Sequence, residues 1–462
     1  MAIPWLHHDV AKRPMFLKQR SSKWFILFAV VIAVFTDMFL YAVVVPVLPW
    51  ALETRIGVDA SEVQSWVSIS IAVYGAALLV ASPICGWAAD HSKSRRLPLL
   101  AGLFALLGAT IALCLTKSIW LFVLGRALQG VSAAVVWVVG LAMLVDTVGE
   151  NEVGQMMGYV GLAMKLGILL GPLLGGVIFE GAGYYSVFAL GFALIGLDIM
   201  LRFIIIEKKI AAKWDDSLAS ERPASDMIEL RDVSGHLEEN KEGANSQVEP
   251  PTTIHRGPSH SQLPRQARSN TKTPSKRWRL PPVFSLLSSR RLLAGLWACV
   301  VEAILLTSFD SVLPIFVRDT FHWNSIGAGL IFLPIVMPTI LAPGIGWIAD
   351  RYGSRYLATT GLLLACPFLI LLRLVDHNDI GQKVLLCALL ALISFCIDLA
   401  LMPLMAEVTY IVVAKEKKMP GIFKGTGVYA QAYGLFNMAY AAGSMIGPIW
   451  SGFVEEAAGW YV

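Results

Sequence analysis

Residues 83–95 read Pro83-Ile84-Cys85-Gly86-Trp87-Ala88-Ala89-Asp90-His91-Ser92-Lys93-Ser94-Arg95. Further along, the chain repeats the phrase as Pro343-Gly344-Ile345-Gly346-Trp347-Ile348-Ala349-Asp350-Arg351-Tyr352-Gly353-Ser354-Arg355, with seven positions identical at a shift of 260. A second repeat lies outward of each copy. Gly158, Gly167, Gly171-Pro172 and Gly175-Gly176 recur as Gly434, Gly443, Gly447-Pro448 and Ser451-Gly452 at a shift of 276. A third sets Val47-Leu48-Pro49 on Val312-Leu313-Pro314 at a shift of 265, and the same shift sets Asp37 on Glu302. Matches in three separate segments mean that one helical unit occurs twice in the chain.

The composition says which solvent that unit lives in. Of 462 residues 56% are hydrophobic and only 15% are charged, against about 25% charged in soluble domains. Such a chain is an integral membrane protein, which excludes soluble enzymes, nucleic-acid binders and disulfide scaffolds. Apolar runs long enough to span the bilayer fall near 24–48, 64–89, 97–115, 119–145, 157–179 and 184–206, then near 292–317, 326–349, 356–374, 384–413 and 428–453. The pattern is six spans, then five. The polar, basic first 23 residues and the length of the first run do not fit a cleavable signal peptide. The domain reading is a tail over 1–23, a six-helix half over 24–206, a central loop over 207–291 and a five-span half over 292–462. The loop, rich in Ser, Pro and charged residues, cannot bury enough apolar surface to order itself.

Lys and Arg mark the side of the membrane. With the N-terminus inside, the inside receives the tail, Lys93, Arg95, Arg96, the 15 Lys and Arg of 207–291, Arg351, Arg355, Lys415, Lys417, Lys418 and Lys424. The outside keeps Arg55, Lys117, Arg318, Arg373 and Lys383. The N-terminus is therefore expected in the cytoplasm. The loop Asp146-Thr147-Val148-Gly149-Glu150-Asn151-Glu152 is purely acidic, and part of its role is read as charge at a helix N-terminus.

Two parallel repeats about an axis along the membrane normal are an architecture of secondary transporters. The chain resembles the major facilitator superfamily on its motifs: Gly86-x3-Asp90-x4-Arg95 and Gly346-x3-Asp350-x4-Arg355 after spans two and eight, and Arg126-x2-Gln129-Gly130 in span four. The run Gly158-x8-Gly167-x3-Gly171-Pro172-x2-Gly175-Gly176 resembles the fifth-helix motif of its drug:proton antiporters. Asp37 through Pro49 resembles the first helix of vesicular amine transporters and fungal efflux pumps. Lys93 stands in the first loop motif where Gly353 stands in the second, and Tyr433 near where amine transporters carry an acid. The resemblance implies an all-α major facilitator fold of two pseudo-symmetric halves.

Ionisable residues inside a membrane are retained where they face a partner or a cavity. Asp37, Glu302, Asp310 and Asp398 are the candidate proton or substrate carboxyls. Arg126 is a fixed cation, and the resemblance implies that it tunes nearby carboxyls with Gln129 beside it. Lys165 calls for a carboxylate of the other half or an anionic substrate, with snorkelling to the inner surface as the bland alternative. Asp198 and Arg202 suit an i,i+4 pair near the inner end of span six. The glycines of spans five and eleven, Gly158, Gly167, Gly171, Gly175, Gly176, Gly443 and Gly447, let helices approach closely. Pro172 and Pro448 each remove a helical hydrogen bond. Asp90 and Asp350 are placed to hold the inner side closed with Arg95 and Arg355. Phe35, Tyr41, Tyr74, Trp137, Tyr159, Phe309 and Tyr433 are candidate cavity aromatics.

The resulting expectation is a proton-coupled exporter of small organic molecules, drug-, amine- or secondary-metabolite-like, working by alternating access. It is expected to need neither cofactor nor metal, to have no enzymatic activity, to bind no nucleic acid and to work as a monomer, in the plasma membrane rather than a vacuole or vesicle. Uptake by proton symport, and a transport-dead membrane sensor, remain as alternatives. The repeat aligns Glu456–Tyr461 with the stretch leading into span six, so the chain is expected to lack a twelfth helix and to end outside.

Overall fold

The computed structural model describes residues 14–44, 47, 50–92, 94–149, 151–211, 214, 282–323, 327, 330–419, 423 and 428–458. The first 13 residues, Lys93, Glu150, most of 207–291 and the last four residues lie outside that set, as does the side chain of Asp310. Eleven long helical elements are described. They are α1 (Lys23–Val43), α2 (Ala60–His91), α3 (Arg96–Cys114), α4 (Ile119–Val148), α5 (Val153–Ala182), α6 (Tyr184–Ile204), α7 (Arg290–Phe321), α8 (Leu333–Tyr352), α9 (Ser354–Leu371), α10 (Ile380–Lys418) and α11 (Tyr429–Ala458).

Among the described residues ten of these are long and apolar enough to cross a membrane, one fewer than the sequence pattern suggests. The exception is α11, whose apolar surface is interrupted by Gln431, Asn437, Ser444 and Ser451. Starts are fixed by polar caps that accept a free N–H of the first turn. Ser22 accepts from Phe25 at 3.2 Å, Ser118 from Leu121 at 3.4 Å and Ser289 from Leu292 at 3.4 Å. The junction of α8 and α9 turns on Gly353, whose φ of 95° is open to glycine and strained for other residues.

One element departs from its sequence reading. The eighth span, expected as one helix, breaks into Leu333–Val336, a three-ten turn over Met337–Leu341 and a helix over Ala342–Tyr352. Pro334, Pro338 and Pro343 follow one another through this stretch. Each lacks the N–H of a helical bond and crowds the preceding turn, and a tighter three-ten turn absorbs the misfit. By contrast α5, α10 and α11 run through Pro172, Pro403 and Pro448 without interruption.

The two halves pack alike. In the first, α1 lies along α5 and α2 along α4; in the second, α7 lies along α11 and α8 along α10. Between the halves α2 packs on α11 and α5 on α8, and a large buried core runs through both. Glycine makes these seams possible. A Cβ on Gly167, Gly171 or Gly175 would strike α1, with Phe35 O at 2.9 Å, Phe39 O at 3.0 Å and Val43 O at 2.7 Å. On α11 a Cβ at Gly443 would meet Val300 O at 2.5 Å and one at Gly447 would meet Ile304 O at 2.7 Å, both on α7. Across the halves Gly86 lies against the Ala430 carbonyl, Gly434 against Ser82, Gly158 against Ala342 and Pro343, and Gly154 against Gly346. Gly176 does not share this role: nothing lies within 4 Å of its missing Cβ.

Candidate functional site

The helix ends that carry Lys23, Arg95, Arg96, Arg291, Arg351 and Arg355 lie together, and this is called the basic end here. There each motif aspartate crosses to the other half. Asp90, at the end of α2, accepts the N–H groups of Ala430 at 3.2 Å and Gln431 at 2.9 Å, in the first turn of α11. Asp350, at the end of α8, accepts those of Gly154 at 2.7 Å and Gln155 at 3.0 Å, in the first turn of α5, and a bond from the Tyr410 hydroxyl. A carboxylate at a helix N-terminus meets free donors and the positive end of the helix dipole. Two such caps, one from each half, tie the halves together at the basic end.

The basic motif residues differ between copies. Arg95 is buried and bridges Asp90 at 2.9 Å and Asp146 at 3.2 Å. Arg355 has a side chain 64% exposed and stands 3.7 Å from Glu407, which is already held by Arg291 and the Ser354 hydroxyl. Asp146 and Glu407 were not singled out from sequence as partners. They are related by a shift of 261, an offset between α4 and α10 that would have exposed them.

Deeper in the bundle, Lys165 of α5 reaches α10. Its Nζ lies 2.6 Å from Asp398 Oδ1 and donates to Ser394 Oγ at 3.0 Å. The other carboxylate oxygen of Asp398 accepts from the Thr339 hydroxyl, in the three-ten turn of α8, at 2.7 Å. Lys165 and Asp398 are buried, which excludes snorkelling. Glu302 of α7 is buried close enough to feel both charges, and neither of its carboxyl oxygens has a hydrogen-bond partner.

The related position in the first half is Asp37. It too is buried, and among the described residues no ion-pair partner reaches it. Trp137 of α4 faces it, and Trp137 and Asp398 are themselves related by the shift of 261. Asp198 acts on Asp37 through its charge and pairs with Arg202 at 3.3 Å. Arg202 also donates to the Ala29 carbonyl of α1 at 3.0 Å. The i,i+4 pair forms as its spacing implies. It lies in the last two turns of α6, as expected, and is wholly buried beside a candidate carboxyl.

Arg126 has Gln129 beside it, as the resemblance implies. It donates to Gln129 at 2.7 Å and lies over the rings of Tyr41 at 5.3 Å and Tyr74 at 5.2 Å. Among the described residues no carboxylate lies within ion-pair distance of it, so two aromatic faces balance its charge. Of the other candidate aromatics, Tyr433 bonds Thr409 at 3.0 Å and the Met405 carbonyl at 3.1 Å, and Tyr159 meets Trp24 edge-on.

A family model described as the Major Facilitator Superfamily matches residues 30–448. An uncharacterized MFS-type transporter of Schizosaccharomyces pombe is 31% identical over 444 residues, covering 96% of this chain and 92% of its own. The MFS-type transporter ppzB of Metarhizium rileyi is 30% identical over 460 residues, covering 96% and 92%. A shorter match, 30% over 148 residues and 32% of this chain, is to a multidrug resistance protein B homolog of Mycobacterium tuberculosis, of which it covers 26%. Among solved structures, the human organic anion transporter MFSD10 (TETRAN) aligns with a TM-score of 0.61 at 19% identity, over 95% of each chain.

Proposed function

The chain belongs to the Major Facilitator Superfamily, and we propose that this multi-pass membrane transporter exports small organic molecules in exchange for protons. The observation that carries this reading is the pair Asp37 and Glu302. They occupy related positions on α1 and α7 and are buried; Glu302 has no hydrogen-bond partner among the described residues, and Asp37 has the Trp137 indole against it. A carboxyl without an ion-pair partner in that setting can take and release a proton, and each change alters which arrangement of the two halves is favoured. The spacing of the α5 glycines and the multidrug names of the shorter matches support export rather than uptake. The positive-inside bias places the basic end in the cytoplasm, so the state described here is closed toward the cytoplasm.

Purified protein in liposomes with an acidic lumen tests the reading. The probes are ethidium, rhodamine 6G, tetraphenylphosphonium and carboxyfluorescein. Exchange with protons predicts that at least one accumulates inside, that nigericin abolishes the accumulation, and that Asp37→Asn abolishes it without loss of folded protein. Accumulation only in alkaline liposomes would make the protein a symporter. Movement of none of the probes would favour the sensor reading.

A further inference from the structure

We propose that the Lys165–Asp398 ion pair is a lock between the two halves inside the membrane, and that loss of either charge opens it. The inference deepens the proposed proton exchange and rests on it. Lys165 is on α5 of the first half and Asp398 is on α10 of the second, joined at 2.6 Å. Lys165 stands twelve residues into α5, about 18 Å in from the basic end at 1.5 Å per residue. Below the pair the halves touch backbone to backbone, at Gly154 with Gly346 and at Gly158 with Ala342 and Pro343. Parting α5 from α8 at the basic end draws Lys165 away from α10.

A buried ion pair resists this, because separation leaves each charge uncompensated. The resistance ends when one charge is removed. Thr339 donates to the second oxygen of Asp398, Ser394 accepts from Lys165 and donates to the Ile335 carbonyl, and Glu302 is buried nearby with no hydrogen-bond partner among the described residues. The groups around Asp398 are therefore Lys165 from α5, Thr339 from α8, Glu302 from α7 and Ser394 from its own helix. From α9, Arg355 reaches Glu407 instead, and from α11 Tyr433 is held by Thr409 and Met405. In this scheme Lys165 is a positioning residue: it touches no substrate and converts the charge of Asp398 into the position of α5.

The test needs neither substrate nor transport, so its failure is distinct from that of the exporter reading. Ala430, in the first turn of α11, is fully buried by the closed basic end. Ala430→Cys is made in full-length protein whose six native cysteines are replaced by serine or alanine. Its alkylation by a maleimide is measured in detergent, each rate divided by that of the unfolded protein at the same pH. At a pH of about 8 the otherwise unmutated protein should label at least about tenfold more slowly than either charge-removing variant. Asp398→Asn and Lys165→Met should label at the high rate. Where a single variant folds poorly, the neutral pair Lys165→Met with Asp398→Asn should fold and still label fast. Slow labelling in Asp398→Asn and in the neutral pair overturns the lock.

Discussion

Around Asp37 and around Glu302 lies a buried cluster of two acids and a base, but the base comes from different places. In the first half Asp37, Asp198 and Arg202 all belong to α1 and α6, and Arg202 is further tied to the Ala29 carbonyl. In the second half Glu302 and Asp398 belong to α7 and α10, but the base, Lys165, arrives from α5 of the other half. A cluster contained in one half moves as a body with it. A cluster shared between halves changes whenever they move. Two related helices have thus placed an acid at the same point of the repeat, and the neighbouring base comes from the same half at one site and from the opposite half at the other.

The largest effect expected separates stability from gating. Lys165→Met and Arg202→Met each strand a buried carboxylate and should cost about 3–5 kcal/mol, read by thermal unfolding in detergent. The neutral double variants, with Asp398→Asn or Asp198→Asn, should recover most of that loss. Opening at the basic end should follow only from the Lys165 pair; opening after Arg202→Met would erase the distinction between the clusters.

The two loop motifs sharpen the same contrast on a smaller scale. Arg95→Gln removes two ion pairs from a buried site and should cost about 2–3 kcal/mol. Arg355→Gln, at the same motif position but mostly exposed, should cost less than about 1 kcal/mol. Equal costs in chemical denaturation would mean that the copies are energetically alike after all.

Close approach gives a third test. Gly158→Ala and Gly434→Ala push a Cβ into backbone of the opposite half and should destabilise by about 1–3 kcal/mol. Gly176→Ala enters open space and should stay within about 0.5 kcal/mol.

The smallest effect concerns the segment after α6. Glu207 accepts from Ser94 Oγ at 2.6 Å and from the Arg96 N–H at 3.0 Å, while Leu17, Ile206 and Ala211 form a small core beside it. Burial pushes the Glu207 carboxyl above its ordinary value, and those hydrogen bonds offset part of the shift. An acid raised by folding favours the folded form while protonated, so the docking should weaken as pH rises from about 4.5 through its folded value. Amide exchange at 208–211 should quicken over that range beyond its intrinsic pH dependence, and Glu207→Gln should remove the excess.

Much of this was legible in the sequence. The shifts of 260, 265 and 276 located the halves, the glycine seams and the related acids, because packing two helices at close range restricts residue type at fixed spacing. The demand of Lys165 for a carboxylate in the other half was legible from the cost of burying a lone lysine. Its particular partner was not, since contacts between α5 and α10 carry no sequence periodicity. Arg126 shows the converse. Its motif marked it as important, but the motif is silent about Tyr41 and Tyr74, whose faces replace the expected carboxylate. The break in α8 was written in Pro334, Pro338 and Pro343, yet the apolar run around them reads as a continuous span.

The difference between the two clusters is tested most directly by a distance. Spin labels at His91 and Lys417, exposed positions on opposite halves at the basic end, report their separation by pulsed double electron–electron resonance. The contained and shared clusters predict opposite results at neutral pH: Asp398→Asn should shift the distribution to longer distances, and Asp198→Asn should leave it where the unmutated acid sets it. A shift in both variants, or in Asp198→Asn alone, would contradict the assignment of the switch to the shared cluster.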